Sequence, residues 1–112
     1  MYFDDIEREA LTGAVRLSHA AFVRLWDLCD ARGVRVLGDV HTHPGEYVAQ
    51  SGIDEDNPLV ARPGHVALIV PHLGTRRVDA SDVGVYEYRG DDGWYVAPAH
   101  LRPRRLRIGW LG

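Results

Sequence analysis

Residues 40–54 read Val40-His41-Thr42-His43-Pro44-Gly45-Glu46-Tyr47-Val48-Ala49-Gln50-Ser51-Gly52-Ile53-Asp54, and they gather two imidazoles, a hydroxyl and a carboxylate in one short stretch. The preceding Val34 to Val40 reads as a strand. His41 and His43 leave its end two residues apart, so alternation puts both rings on the same side. Such a pair is a pincer for one metal ion. With a carboxylate from Asp54 it makes an N/N/O set, with Glu55 and Asp56 as alternative carboxylates, and leaves a fourth tetrahedral position open for water, as hydrolytic zinc sites require. Ser51 caps a short helix that Pro58 limits, which places Asp54 one turn after it. Taken alone, the H-x-H pair competes with a plain polar strand terminus.

Two neighbours of the pair add to this reading. Asp39 has the same parity as His41, which makes it either a partner that fixes a histidine tautomer or an edge carboxylate paired with a surface arginine. Gly38, inside the expected strand, points to a close backbone approach or a bulge beside the site.

The spacing of His41, His43, Ser51 and Asp54, H-x-H, seven residues, then S-x-x-D, resembles the JAMM motif of the JAB1/MPN metallopeptidases and meets it without insertion. In looser form the likeness runs from about Val15 to about Trp94. It is greatest to the short bacterial members, which are found beside ubiquitin-activating-like and ubiquitin-conjugating-like enzymes. The resemblance implies an α+β fold, a mixed central sheet with a flanking helix (the cytidine-deaminase-like arrangement). It also implies zinc held by His41, His43 and Asp54, with Ser51 as the catalytic hydrogen-bond donor. The implied substrate is a ubiquitin-like protein, cleaved as a peptide or isopeptide after its C-terminal glycine. Asp39-Val40-His41-Thr42-His43 also resembles the first-strand motif of PHP phosphoesterases and amidohydrolases. Those are barrels of typically 200 residues or more, against 112 here.

One part of the family pattern has no counterpart. The resembled enzymes carry a proton-shuttling glutamate on a strand well upstream of the histidines. Here the upstream candidates are Glu7 and Glu9, in the polar run Asp4-Asp5-Ile6-Glu7-Arg8-Glu9. Three readings follow. A domain shortened at its N-terminus is favoured. Glu7 or Glu9 acting as a substitute, and a metal-binding but inactive interaction module, are the others. Loss of early strands would expose sheet edge, so a homodimer is expected.

Further out, Ser18 offers an N-cap, and Phe22, Leu25, Trp26 and Cys29 recur at i, i+3, i+4, i+7, so a helix over Ser18 to Arg32 closed by Gly33 is expected. His65-Val66-Ala67-Leu68-Ile69-Val70-Pro71 is a nearly continuous apolar run, as in a central strand covered on both faces. The histidines that bracket it, His65 and His72, read either as strand-end polar groups, the commoner case, or as residues lining the cleft, and the isolated His19 and His100 are read in the same way. Val83 to Tyr88 and Trp94 to Val96, joined by Gly90-Asp91-Asp92-Gly93, form a hairpin whose Tyr86, Tyr88, Trp94 and Tyr95 make one aromatic cluster. The tail, with Arg102, Arg104, Arg105 and Arg107, reads as a solvated terminal strand or a contact for an acidic partner surface, and its Leu106, Ile108, Trp110 and Leu111 suit an added edge strand.

Length and composition set the remaining bounds. A chain of 112 residues builds one domain. The net charge of -3 argues against general nucleic-acid binding. No apolar run approaches the ~20 residues of a membrane span, and no signal peptide is recognisable, so a cytoplasmic protein is expected. The lone Cys29 leaves no partner for an intramolecular disulfide or a CxxC site and falls on the apolar face of the expected helix.

Overall fold

A computed structural model describes residues 18–50 and 60–108. Ser51, Asp54, Glu55, Asp56, Glu7 and Glu9 lie outside the described residues, as do Trp110 and Leu111 of the tail. The chain divides into two compact units, Met1–Leu37 and Gly38–Gly112. The architecture is α+β, a helix and a four-stranded mixed sheet.

In the first unit α1 spans His19–Arg32. Its ends are set locally. Ser18 is extended, and its Oγ accepts from the Ala21 backbone N–H at 3.2 Å. At the other end Gly33 takes the left-handed conformation, and the amides of Gly33 and Val34 donate back to the carbonyls of Asp30 and Cys29, a Schellman closure. The buried row is Ala21, Leu25 and Cys29, with Val36 packed against it. Those residues lie four apart and form one ridge. The expected row is thereby corrected. Trp26 is 41% exposed and stacks on Phe22 with ring centroids 6.4 Å apart. Cys29 is a buried free thiol, as its place on the apolar face implied.

The second unit holds β1 (Gly38–Thr42), β2 (Val66–Val70), β3 (Gly84–Tyr88) and β4 (Trp94–Val96) in the order β1-β2-β3-β4. β1 and β2 are parallel, and the other two pairings are antiparallel. β1 starts four residues later than the expected Val34. Gly38 is paired with Val66, and β2 cannot begin earlier because Arg62 to Gly64 form a turn in which the His65 amide donates to the Arg62 carbonyl. Residues upstream of Gly38 therefore have no ladder partner on β2. The glycine itself is required, since a Cβ at position 38 would overlap the Val66 carbonyl oxygen.

Register sorts the side chains. Asp39 and His41 sit opposite Ala67 and Ile69, which sit opposite Tyr86 and Gly84, and Tyr86 and Tyr88 sit opposite Val96 and Trp94. All of these share one face. On it Ala67, Ile69 and Tyr86 form a buried cluster joined by Val48 and Trp94. Glu87 and Tyr95, opposite each other, lie on the other face. The aromatic group thus divides. Tyr88 and Trp94 meet edge to face at 5.2 Å, whereas the Tyr95 ring lies under the guanidinium groups of Arg89 and Arg105, 4.3 and 4.8 Å away.

The tail corrects a second expectation. Arg102–Arg105 is one turn of α-helix, α2, and not part of a terminal strand. Proline in its first turn favours this, because it has no N–H to leave unpaired there and its φ is already helical. Arg102 donates to the carbonyls of Ala97 and Ser81, and Arg105 to Glu87. Two of the four tail arginines are thus engaged within the fold.

Candidate metal centre

β1 carries Asp39 and His41 on one face, and His43 follows at the strand's end. The ladder continues far enough to hold it, since the His43 amide donates to the Val70 carbonyl at 3.0 Å. Beyond His43 the chain is fastened to the end of β2 by two more bonds. The Leu73 amide donates to the His43 carbonyl (2.9 Å) and the His72 amide to the Gly45 carbonyl (2.6 Å). Both donor residues adopt left-handed backbone angles, φ 56° at His72 and 53° at Leu73, a conformation that costs roughly 1–2 kcal/mol per non-glycine residue. The strain is concentrated where His43 is held.

The loop after His43 is fixed from β3. The Tyr86 hydroxyl donates to the Val48 carbonyl at 2.7 Å. Gly84 makes room for that carbonyl, for a Cβ there would lie 2.6 Å from the same oxygen. Tyr86 and Gly84 therefore position the segment that leads into Ser51. Sequence reasoning missed this role, because it depends on a contact across 38 residues.

The rings of His41 and His43 have centroids 5.2 Å apart. Two imidazole nitrogens about 2.0–2.1 Å from one tetrahedral ion hold their ring centres roughly 5 Å apart, so this spacing suits a shared metal. Among the described residues no group of three or more His, Cys, Asp or Glu is placed to hold a metal ion. A third ligand, if it is Asp54, comes from outside them.

Behind His41 the Asp39 carboxylate joins two imidazoles. Its Oδ2 lies 3.3 Å from His41 Nδ1, and its Oδ1 lies 2.8 Å from His65 Nε2. Of the two readings of Asp39, the partner of a histidine is the one observed, and its second partner is another histidine. The side chains of His65, Asp39 and His41 are 1%, 7% and 11% exposed. Burial by itself raises the Asp39 pKa, but the hydrogen bonds and charges of His41 and His65 together outweigh it and hold the carboxyl below the ordinary aspartate value. His65 stands at a strand end, immediately before β2, and it is the most buried polar residue described. The available signal was parity: His65 is an even number of residues from Ala67, which pairs with Asp39.

No family model matches this chain. A curated protein does. The chain is 26% identical over 77 residues to a probable metalloprotease, y4jG, of Sinorhizobium fredii, a match that covers 69% of this chain and 47% of that protein. The chain thus spans about half the length of this curated relative, and its similarity is to a probable metalloprotease. Among the described residues no helix is long and apolar enough to cross a membrane.

Proposed function

We propose that this chain is a zinc metallopeptidase domain of JAB1/MPN type, acting on the C-terminal tail of a ubiquitin-like protein after its last glycine. The observation that carries the reading is the His41–His43 pair, with rings 5.2 Å apart, one of them hydrogen-bonded from behind by a buried carboxylate. The similarity to a probable metalloprotease supports it. Zinc is the metal proposed, since two imidazoles and a carboxylate with one open position suit it. His41, His43 and Asp54 hold it in this reading. Zinc held there would lower the pKa of a water at the site toward neutrality and would polarise the substrate carbonyl.

The remaining steps belong to the chain. Ser51 donates a hydrogen bond to the oxyanion that develops on the attacked carbonyl, a contribution of roughly 3 kcal/mol to the barrier in comparable sites. Tyr86 and Gly84 hold Val48, three residues before Ser51 in the sequence. Asp39 has both oxygens occupied by imidazoles, so it orients and does not shuttle protons. The substrate class comes from the motif's family and from no feature of the composition.

The test is cleavage of a fusion joined through the C-terminal glycine of a ubiquitin-like protein, with the wild-type chain, His43→Ala and Ser51→Ala compared at equal concentration. Cleavage by the wild type that is abolished in His43→Ala and reduced about 100-fold or more in Ser51→Ala supports the reading. Zinc binding without cleavage of any such fusion points to an interaction module. Release of phosphate from generic phosphate esters points to a different metallohydrolase.

A further inference from the structure

A histidine that ligates a metal through one ring nitrogen carries its proton on the other, and a partner for that proton fixes both the tautomer and the ring plane. We propose that Asp39 and His65 act as a positioning pair that locks His41 in its Nδ1–H tautomer with Nε2 presented to the metal, so that a residue of the neighbouring segment, His65, helps set metal affinity. The proposal deepens the metal reading of His41 and rests on it.

The argument is one of donors and acceptors. An ionised carboxylate only accepts, so the imidazole nitrogen facing each Asp39 oxygen must carry a hydrogen. His65 allows no alternative. Its Nε2 lies 2.8 Å from Oδ1, while its Nδ1 is buried and has no hydrogen-bond partner among the described residues. Moving the proton to Nδ1 would bury an unsatisfied donor and set a nitrogen lone pair against a carboxylate oxygen, and each is unfavourable. His65 is therefore a fixed donor. It occupies Oδ1 and sets the plane of the carboxylate, and that plane leaves Oδ2 to His41.

The two bonds are unequal, which identifies the controlling one. The contact to His65 is the short one, and the contact to His41, 3.3 Å, is long. The weaker bond depends on the stronger to hold the shared carboxylate in place. Ala67 makes the arrangement possible, because the residue paired with Asp39 is buried and has only a methyl group. His65 is thus a positioning residue.

The experiment reads tautomers and metal affinity, and needs no substrate. Imidazole nitrogen NMR shifts of the metal-free wild-type chain should show His41 protonated at Nδ1. Zinc titration against a competing chelator should give His65→Phe, which keeps a ring and loses the N–H donors, a Kd raised about 10-fold. His65→Gln, which returns a donor, should recover most of that loss. Protonation of His41 at Nε2 in the metal-free wild type overturns the proposal, and this measurement stands even if His65→Phe does not fold. A folded His65→Phe with unchanged Kd and His41 tautomer overturns it as well, and so does a folded His65→Gln as weak as His65→Phe. A wild-type chain that binds no zinc defeats the metal reading, while the tautomer measurement still decides the pairing.

Discussion

Two carboxylates on opposite faces of the sheet do similar work in different surroundings. Asp39 on β1 joins two imidazoles and is 7% exposed; Glu87 on β3 joins the guanidinium groups of Arg89 and Arg105, at 3.7 and 3.0 Å, and is 26% exposed. Water competes for the second arrangement and is largely excluded from the first. Exposed ion pairs contribute little, with a median of about 0–1 kcal/mol. Buried hydrogen bonds to a charged group are worth about 1.5–3 kcal/mol each, and losing one partner strands the others. The Glu87 cluster is accordingly read as a fastening between the hairpin and α2. The Asp39 cluster, costly to assemble, lies beside the histidine pair for which a metal is proposed.

Asp39→Ala attacks the buried member and should have the largest effect, a loss of about 3 kcal/mol in denaturant unfolding, because two buried imidazoles lose their acceptor together. A loss under about 0.5 kcal/mol would mean that the two sites are energetically alike. The same carboxylate gives a pH signature. Its folded pKa lies below the ordinary value, so its contribution is fully present above the unfolded-state aspartate pKa and is lost as pH falls through the folded one. The stability gap between wild type and Asp39→Ala should therefore be full at neutral pH and shrink only below about pH 4, as urea midpoints measured across that range would show.

Tyr86→Phe should cost about 1 kcal/mol, since it deletes only the hydroxyl that holds the Val48 carbonyl. Its larger consequence should be local, faster amide exchange in residues 44–50 than in β2. Glu87→Gln should be the mildest change, within about 0.5 kcal/mol of wild type and smaller still in high salt. A loss comparable to that of Asp39→Ala would erase the distinction between the two faces.

The parts of this fold that are governed by neighbours in sequence were legible in it. Ser18 and Gly33 bound α1 as expected, Gly38 marks a close backbone approach, and Gly90 to Gly93 turn the hairpin. The H-x-H pair lies at the end of a strand with its rings together. What needed the third dimension was not legible. The start of β1 is set by the turn at Arg62 to Gly64 of its partner. The burial of His65 follows from register between parallel strands, and the acceptors that Arg102 and Arg105 find lie on other segments of the chain. The roles of Ser51 and Asp54 rest on the motif, since both lie outside the described residues.

The claim on which the rest depends is that His41 and His43 share a metal ion. Elemental analysis of the wild-type chain and of His43→Ala, both purified without added metal or chelator and then resupplied with zinc, tests it most directly. The account predicts near-stoichiometric zinc in the wild type and its loss in a folded His43→Ala. Equal metal in the two proteins, or none in either after zinc is supplied, would contradict it.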